Sequence, residues 1–452
     1  MQRILPEKLK ILASSAPVPV FVVGGSVRDF LCGVTPKNGG YDWDICSTIS
    51  TDEFVALAQS HSFTVKSVYK NTGTIKLKDS DGIDYEYSRF RSDKYVRGMH
   101  VPVEIFFTDD ISLDARRRDF TCNAVYYDIK NGSYLDPLNG IRAIQEKRLT
   151  TVAPAQKVFG EDGLRLMRLA RQGAQLGFTP DAECLIGATD NARLIDDISP
   201  ERIFTELLSI LTADKKYGVK DGQYHGLKLL EQTGVLARIL PELTLGKGMS
   251  QRPDFHKYDM LEHSLRAALY ADERVRFAAL LHDIGKPFCF LRDGNSYAHP
   301  QEGARLAGEI LTRFKAPKKL IAETQTLVEL HMYDFDGKTK DNKLKRFFVE
   351  NAPALEKLLL LKQADFSACT DDLSIAPTCV RWNALLAKMQ AENAPLTLKQ
   401  LAITGKDLLM LGIPPAEIST VLNGLLVHAA IHPTDNTKPR LCRLAKGYLS
   451  KN

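Results

Sequence analysis

The sequence predicts an α+β protein, in which a mixed-sheet domain at the amino end precedes a helical remainder. Up to about residue 140, short β-rich runs alternate with turn residues such as Asn131-Gly132, and beyond residue 155 helical periodicity replaces them. The chain of 452 residues is also too long for one hydrophobic core. We therefore expect four domains, at residues 1–140, 141–250, 251–370 and 371–452.

The composition is that of a globular protein without membrane spans. Apolar residues make up 44% and charged residues 25% of the chain, and no apolar run is long enough to cross a bilayer. The first residues lack the long apolar core of a signal peptide. Eight cysteines are scattered without C-x-x-C pairs, which is typical of reduced thiols. We expect a cytoplasmic protein with no membrane partner, and the sequence predicts no oligomeric state.

The charge pattern permits a nucleic-acid partner without requiring one. The net charge is only +5, which many enzymes with neutral substrates share. Basic residues cluster locally, and together they allow an extended track for an RNA backbone. These clusters are Arg116–Arg118, Arg165 with Arg168 and Arg171, Lys318-Lys319, Lys343 with Lys345 and Arg346, and Lys438, Arg440, Arg443, Lys446 and Lys451 near the carboxyl end.

The first chemical element is a glycine turn between a strand and a helix. The apolar strand Val20–Val23 ends at Gly24-Gly25, and Ser26 is expected to cap a helix over Val27–Leu31. Two glycines at such a junction let backbone N–H groups approach an anion, and the helix start adds its positive dipole end. Taken alone, Gly-Gly is usually an ordinary turn.

The second element is a pair of carboxylates. Asp42 and Asp44 flank Trp43 at the start of the next strand, and a helix is expected over Thr51–Ser60. In an extended strand, residues two apart point to the same side, so both carboxylates project into one place. Hard oxygen ligands beside a phosphate-binding turn suit Mg²⁺ carrying a nucleoside triphosphate. Taken alone, D-x-D is more often a solvated strand edge or a turn.

The order of these elements resembles a known enzyme family. A strand, Gly-Gly, a helix with Arg28-Asp29 and then D-x-D resembles the polymerase-β-type nucleotidyltransferases. The motif G-G-x-V-R-D is similar to that of class II tRNA nucleotidyltransferases (CCA-adding enzymes) and bacterial poly(A) polymerases. The resemblance implies a nucleotidyltransferase head, a helical neck, an HD domain and a helical tail.

The same resemblance implies a reaction and roles for the first motif. The expected reaction is template-independent addition of C, C and A to the tRNA 3′ end from CTP and ATP. Asp42 and Asp44 would be the catalytic carboxylates that hold two Mg²⁺ ions, and Gly25 and Arg28 would bind phosphates. Ser26 stands where alanine is common in the family, which leaves the backbone role of the turn intact.

A second motif, R-R-D-F-T-x-N-A, includes Arg118 and Asn123. From the residues alone, it is either a surface charge run or a set of polar groups that contact sugar or phosphate. It matches the family's second motif, which implies that Arg118 contacts the nucleotide. Upstream, Glu86 is either a third active-site carboxylate or a solvent-facing glutamate. The segment 92–104 resembles the family's flexible loop.

A third motif reads Glu161-Asp162-x-x-Arg165. At helical spacing Asp162, Arg165, Arg168 and Arg171 fall near one helix face, where salt-bridged pairs on a surface helix are the plain interpretation. The resemblance implies instead that these residues bind the incoming base. Cytosine and adenine both offer an exocyclic amine to Asp162 and a ring nitrogen to Arg165. Uracil and guanine reverse that donor and acceptor order.

The helical half contains a separate candidate for a metal site. His263, an adjacent His282-Asp283 pair and a distant Asp365 follow the ligand order of HD-domain phosphohydrolases. His299 and His331 could complete a two-metal version. The domain would then bind a second kind of divalent metal, or it would persist as an RNA-binding scaffold without chemistry.

The final segment resembles the family's carboxyl-terminal helical body, which implies contact with the tRNA elbow. The partners that the resemblance implies are the tRNA 3′ end and acceptor arm. Three alternatives stay open at this point. A poly(A) or A-adding polymerase would keep every motif of the head. A phosphohydrolase acting on phosphate esters would depend on His282 and Asp283 and would not need Asp42. A non-catalytic RNA-binding protein is disfavoured by the intact carboxylate pair.

Overall fold

The computed structural model describes residues 1–34, 41–96 and 100–449, which fold into two compact units. The first unit contains residues 1–244 together with 313–315, and the second contains residues 245–312 and those from 316 onward. The α+β class is confirmed. The finer division into four domains stays a prediction.

The first unit contains every strand of the described chain. The strands are β1 (Phe21–Val23), β2 (Trp43–Ser47), β3 (Thr64–Tyr69), β4 (Thr74–Lys78), β5 (Asp84–Arg89), β6 (Arg91–Lys94), β7 (Glu104–Phe107), β8 (Tyr126–Asp128), β9 (Tyr134–Leu135), β10 (Arg148–Leu149) and β11 (Thr179–Pro180). The helices are α1 (Glu7–Ser15), α2 (Gly25–Leu31), α3 (Thr51–Ser60), α4 (Ile111–Arg116), α5 (Gly140–Gln145), α6 (Ala155–Glu161), α7 (Leu164–Leu176), α8 (Ala182–Asn191), α9 (Pro200–Leu211), α10 (Ala213–Tyr217), α11 (Gly222–Gln232), α12 (Val235–Ile239) and α13 (Pro241–Thr244).

Seven strands form one mixed sheet in the order β3-β4-β5-β2-β1-β8-β9. The pair β2–β5 is parallel and the other pairs of this sheet are antiparallel, which confirms the expected mixed sheet. The central strand β1 is wholly buried, as its continuous apolar run predicts. Strand β1 leads directly into α2. The neighbouring strand β2 starts at the carboxylate pair.

Helix α3 confirms the expected helix over Thr51–Ser60 and shows why it begins there. Ser50 and Glu53 form a reciprocal capping box at its start. Phe54 of α3 stacks on Tyr87 of β5 with ring centroids 3.6 Å apart, and both rings are buried. Such an aromatic pair adds about 1 kcal/mol beyond its buried area. The helix is thereby fixed to the sheet that carries the site.

The segment 92–104 was expected to be a flexible loop. Its ends form an antiparallel ribbon, because β6 pairs with β7 from Arg91 opposite Phe107 to Lys94 opposite Glu104. Residues 97–99, which include Gly98, lie outside the described residues, and Lys451 of the basic tail does too.

The described part of the second unit contains helices and short 3₁₀ turns and no strand. Its helices are α14 (Met260–Tyr270), α15 (Arg276–Leu281), α16 (Gly285–Asp293), α17 (His299–Arg313), α18 (Lys318–Leu330), α19 (Asp341–Glu350), α20 (Leu355–Thr370), α21 (Pro377–Ala391), α22 (Gly405–Met410), α23 (Ile418–Ile431) and α24 (Lys438–Leu449). Trp382 is wholly buried in the core of this unit, with Phe347 and Phe348 against its ring. No helix within the described ranges combines the length and apolar character needed to cross a membrane.

Candidate active site and metal centre

The two carboxylates of D-W-D lie on one side of the start of β2. Trp43 between them is buried in the sheet, whereas Asp42 is exposed and Asp44 is half-buried. The hydroxyl of Ser26 donates a hydrogen bond to the backbone carbonyl of Asp42, which ties the first turn of α2 to this strand. The expectation that Ser26 caps the helix is wrong. The helix starts at Gly25, and Gly24 occupies the capping position.

Position 24, where the turn approaches the carboxylates, requires glycine. Its φ of +79° lies in the left-handed region, and a Cβ at this position would lie 3.0 Å from Oδ2 of Asp44. Any side chain would therefore compete with whatever Asp44 binds. The backbone of the glycine turn and the Asp44 carboxylate share one small space, as the motif order predicts.

The electrostatics of this pair suit a cation. Burial, followed by the charge of Asp42, raises the pKa of Asp44 to about 7, although Arg118 opposes the shift. The charge of the exposed Asp42 opposes ionisation of the more buried Asp44, and a divalent cation between them would remove that repulsion. Oxygen-only donors favour a hard ion such as Mg²⁺. The donor set thus fits the metal that the motif implies.

Glu86 lies directly beside Asp44. The parallel pairing of β2 and β5 places Asp44 opposite Glu86, and the charge of Glu86 contributes to the raised pKa of Asp44. Glu86 itself is exposed. The register places it on the same sheet face as Asp44, and its role as a third carboxylate stays a prediction.

Arg28 is a buried cation held in a fixed orientation. Its Nε and Nη2 donate to Oδ1 of Asp29 at 2.9 and 2.6 Å, and its Nη1 donates to Oδ1 of Asn123 at 2.7 Å. Asn123 belongs to the second motif, and its Nδ2 donates to Asp119 at 2.8 Å. The first and second motifs are therefore joined through side chains, which sequence spacing does not reveal.

Arg118 is held from behind by a carboxylate that the sequence analysis did not identify. Asp114 is wholly buried and accepts from Arg118 Nη2 at 3.2 Å, Arg117 Nε at 2.7 Å and the Tyr126 hydroxyl at 2.7 Å. Burial alone would raise its pKa, but Arg117 and Arg118 lower the pKa of Asp114 to about 2. The spacing of four residues from Asp114 in α4 to Arg118, just beyond the end of that helix, was the available signal.

The third motif does not lie on one continuous helix, which corrects the sequence prediction. Helix α6 ends at Glu161 and α7 begins at Leu164, so that Asp162 sits between them in extended conformation. The neighbouring Gly163 has helical dihedral angles, and it must be glycine because a Cβ there would lie 2.3 Å from the backbone carbonyl oxygen of Leu194. The break separates Asp162 from the helical face that carries the arginines.

The three arginines of α7 are all engaged with protein groups. Arg165 is buried, and its Nη1 donates to Glu161 and to the carbonyl of Val158 at 2.9 Å each. Its Nη2 donates to the carbonyl of Arg117, also at 2.9 Å. The other two arginines form ion pairs. Arg168 Nη1 lies 3.7 Å from Asp119 Oδ2, and Arg171 Nε lies 2.6 Å from Glu206 Oε2.

One cleft of about 850 Å³ brings these motifs together. The predicted residues that line it are Gly25, Arg28, Asp42, Asp44, Arg118, Asp162, Arg165, Arg168 and Arg171. The cleft also includes residues that sequence analysis missed, namely Arg91, Asp93 and Tyr95 from β6 and its end, and Lys215, Lys216 and Tyr217 from α10. Cationic side chains outnumber carboxylates along this lining, which suits a polyanionic ligand.

The second unit brings the four residues of the HD motif together. Nε2 of His263 lies 3.2 Å from Nε2 of His282, 3.4 Å from Oδ2 of Asp283 and 3.1 Å from Oδ1 of Asp365. The two histidines and Asp283 are buried. Residues from two helices, α14 and α20, and from the turn after α15 therefore converge on one point, as the motif order predicts.

A second pair of histidines shares the same aspartate. Nε2 of His299 and Nε2 of His331 lie 3.3 Å apart, and they lie 3.3 and 3.5 Å from Oδ1 of Asp283. Asp283 thus turns one oxygen to each histidine pair. Both triads have the spacing of a metal site. The arrangement is that of two neighbouring sites bridged by one carboxylate.

The chemistry of these donors fits metal ions. In His282, His299 and His331, Nδ1 lies 2.6–2.7 Å from a backbone carbonyl, which only accepts, so Nδ1 carries the proton and Nε2 is left to face the cluster. Burial alone would lower the pKa of His282, but Asp283 and Asp365 raise it to about 10. The cluster therefore stabilises positive charge, which divalent metal ions would supply.

Lys286 completes the surroundings of the bridging aspartate. Its ammonium lies 2.6 Å from Oδ2 of Asp283 and donates to Gln251 at 2.9 Å. His256, which has no motif around it in the sequence, lies with its ring 4.9 Å from that of His263. Sequence spacing gave no signal for this neighbour, because a loop carries it to the cluster.

Comparisons with known proteins find matches along most of the chain. Three family models match: the poly A polymerase head domain over residues 20–150, the probable RNA and SrmB-binding site of polymerase A over 177–245, and the HD domain over 256–367. The chain is 30% identical over 441 residues to an A-adding tRNA nucleotidyltransferase of Deinococcus radiodurans, covering 90% of this chain and 92% of that one. It is 31% identical over 314 residues to a multifunctional CCA protein of Xanthomonas campestris, covering 66% and 71%.

Solved structures share the fold. The CCA-adding enzyme of Bacillus stearothermophilus in complex with CTP matches with a TM-score of 0.65 at 24% identity, covering 96% of this chain and 93% of that one. The Thermotoga maritima CCA-adding enzyme complexed with tRNA matches with a TM-score of 0.62 at 15% identity, covering 99% and 97%. At these identities the likeness establishes the architecture only.

Proposed function

Because the chain belongs to the family of tRNA nucleotidyltransferases and poly(A) polymerases, we propose that it adds C, C and A to the 3′ end of tRNA from CTP and ATP. The observation that carries this proposal is the single cleft in which paired carboxylates, the glycine turn and the Asp162–Arg165 motif meet. Relatives named CCA-adding enzyme, multifunctional CCA protein and A-adding tRNA nucleotidyltransferase support it.

In the proposed reaction, the primer 3′ oxygen forms a bond to the α-phosphorus and pyrophosphate leaves in line with it. Asp42 and Asp44 would hold Mg²⁺, and the bound ion would supply the charge that neutralises the triphosphate and activates the primer hydroxyl. Arg28 and the N–H groups of the Gly24-Gly25 turn bind phosphate oxygens. Arg118, which Asp114 holds from behind, contacts the nucleotide.

Base selection is assigned to Asp162 and Arg165. The carboxylate accepts from the exocyclic amine of cytosine or adenine, and the guanidinium donates to the neighbouring ring nitrogen. Arg165 has its orientation fixed by bonds to Glu161 and two backbone carbonyls. Uracil and guanine would set acceptor against acceptor, leaving buried polar groups without partners. A fixed protein surface thus replaces a nucleic-acid template.

An A-adding activity is the second candidate, since the Deinococcus relative bears that name and matches nearly its whole length. Two primers separate the possibilities: a tRNA transcript without its tail, and one ending in CC. A CCA-adding enzyme extends the first with C, C and A. An A-adding enzyme extends only the second, and a poly(A) polymerase adds long runs of A without using CTP.

We further propose that the histidine cluster of the second unit binds divalent metal and hydrolyses phosphate esters. The shared Asp283 between two histidine pairs carries this proposal. A bound metal would supply an activated water. Metal analysis of the purified chain and hydrolysis of 2′,3′-cyclic phosphates with added Mn²⁺, Ni²⁺, Co²⁺ or Mg²⁺ test it. Absence of both metal and hydrolysis would reduce this domain to a scaffold.

The proposed partners are the tRNA acceptor arm and 3′ end, CTP and ATP. The cytoplasm is the compartment that we infer for this reaction, because all eight cysteines are free thiols and five of them are buried.

A further inference from the structure

The short helix α10 contributes to the nucleotide cleft, although no motif pointed to it. Lys215, Lys216 and Tyr217 line the same cleft as Asp42 and Asp44. Helix α10 belongs to the first unit, with the sheet that carries those carboxylates. Its place in the chain, between α9 and α11, is far from the motifs of the head. The fold, and no sequence motif, therefore brings α10 to the cleft.

Tyr217 is bonded to the carboxylate that orients Arg28. Its hydroxyl donates to Oδ2 of Asp29 at 2.6 Å, while the other oxygen of Asp29 accepts from Arg28. Arg28 and Asp29 are buried, and burial together with the charge of Asp29 raises the pKa of Tyr217, so the phenol keeps its proton. The hydroxyl thus fixes Asp29, and Asp29 fixes the guanidinium.

Lys216 lies close enough to the same group of residues to interact with their charges. Its ammonium interacts electrostatically with Arg28 and Arg171 as well as with Asp29 and Asp42. The residue is exposed overall, and partial desolvation of its ammonium lowers the pKa of Lys216. Asp29 and Asp42 oppose this shift, and Arg28 and Arg171 add to it. Among the described residues, Lys216 has no carboxylate within 4 Å. A cation beside two arginines and beside the metal-binding carboxylates is suited to a phosphate oxygen.

We propose that α10 is the second wall of a triphosphate-binding site: Lys216 contacts the outer phosphates of the incoming nucleotide, and Tyr217 positions Arg28 through Asp29. The proposal rests on the proposed function in one respect, that nucleotides bind in this cleft. It adds two residues of the helical neck to the site: Lys216, which contacts phosphate, and Tyr217, which positions Arg28. It also explains why the cleft contains more cations than the base-binding motif needs.

Nucleotide binding without tRNA tests the proposal. Affinities of CTP, CDP and CMP are measured on the full chain with Mg²⁺ for the parent and for Lys216→Ala, Lys216→Arg and Tyr217→Phe. A charge-assisted bond corresponds to about a tenfold change in affinity. We expect Lys216→Ala to weaken CTP about tenfold and CMP less than twofold, and Lys216→Arg to restore most of the loss. Lys220→Ala, an exposed lysine beyond the cleft, is the matched control and should bind like the parent.

Tyr217→Phe removes only the hydroxyl. A positioning role predicts that KM rises by roughly threefold for CTP and for ATP alike, while the KM for tRNA stays close to that of the parent. Unchanged CTP affinity in both variants, or an equal loss for CMP and CTP, would overturn the proposal. A parent chain that binds CTP in this pattern but extends no tRNA would refute the proposed function and leave this inference standing.

Discussion

Asp114 and Arg118 form a buried pair behind the nucleotide cleft, with Arg118 Nη2 donating to Asp114 Oδ2 at 3.2 Å. Asp114 has no exposed surface, and it also accepts from Arg117 and Tyr126. The orientation of the second motif therefore depends on a residue that touches no substrate.

Asp114→Asn should destabilise the protein and lower nucleotide addition. The variant leaves two guanidinium groups without their buried counter-charge, and breaking such a pair typically costs about 3 kcal/mol. Denaturant unfolding gives the stability, and kcat/KM for CTP gives the activity. Asp109→Asn, an exposed neighbour in sequence, is the control and should change neither. Equal stability of Asp114→Asn and the control would contradict the structural role of this pair.

The same residue predicts an acid dependence of stability. The pKa of Asp114 falls from its usual 3.8 to about 2 in the folded chain, so its stabilising contribution is present above about pH 4 and is lost as the pH falls through 2. The contribution at neutral pH is roughly 2 kcal/mol. Unfolding measured from pH 5 to 2 should show a shallower loss for Asp114→Asn than for the parent. Parallel curves would show that Asp114 titrates normally.

Arg165→Ala should reduce discrimination among nucleotides more than RNA binding. The loss of a paired donor costs about 1–3 kcal/mol for the correct base. Because Arg165 also bonds to Glu161 and to backbone carbonyls, the variant is expected to be less stable, and the readout is the ratio of CTP and ATP use to UTP and GTP use. Arg193→Ala, an exposed arginine outside the cleft, is the control. If Arg165→Ala still rejects UTP and GTP like the parent, Arg165 does not bind the base.

His282→Ala or Asp283→Ala should remove bound metal and any hydrolysis of phosphate esters, while nucleotide addition continues. Both residues belong to the second unit, whereas the paired carboxylates belong to the first. His432→Ala, an exposed histidine of the second unit, should retain metal and activity. Full metal content in the His282 and Asp283 variants would refute the ligand assignment.

Local patterns predicted the parts of the site that local geometry creates. The alternation around Trp43 places Asp42 and Asp44 on one side, and the Gly-Gly junction forms the turn. Helix α3 begins and ends where its capping residues and periodicity indicate.

Contacts between distant segments could not be read from spacing. The break at Asp162 lies beside Gly163, which packs against the distant backbone of Leu194. The bond from Tyr217 to Asp29 joins residues 188 positions apart. The two-residue strands β10 and β11 are too short to show a period of two, so the helical prediction passed over them.

The most direct test of the central claim is incorporation of labelled CMP and AMP into a tRNA transcript that lacks its tail. The account predicts that the parent adds C, C and A, and that Asp42→Ala and Asp44→Ala add neither nucleotide while binding tRNA almost normally. Their carboxylates act on the reacting phosphates, whereas tRNA affinity comes from the wider basic surface. Asp52→Ala, on the exposed start of α3, should match the parent. Near-normal incorporation by Asp42→Ala or Asp44→Ala would contradict the account.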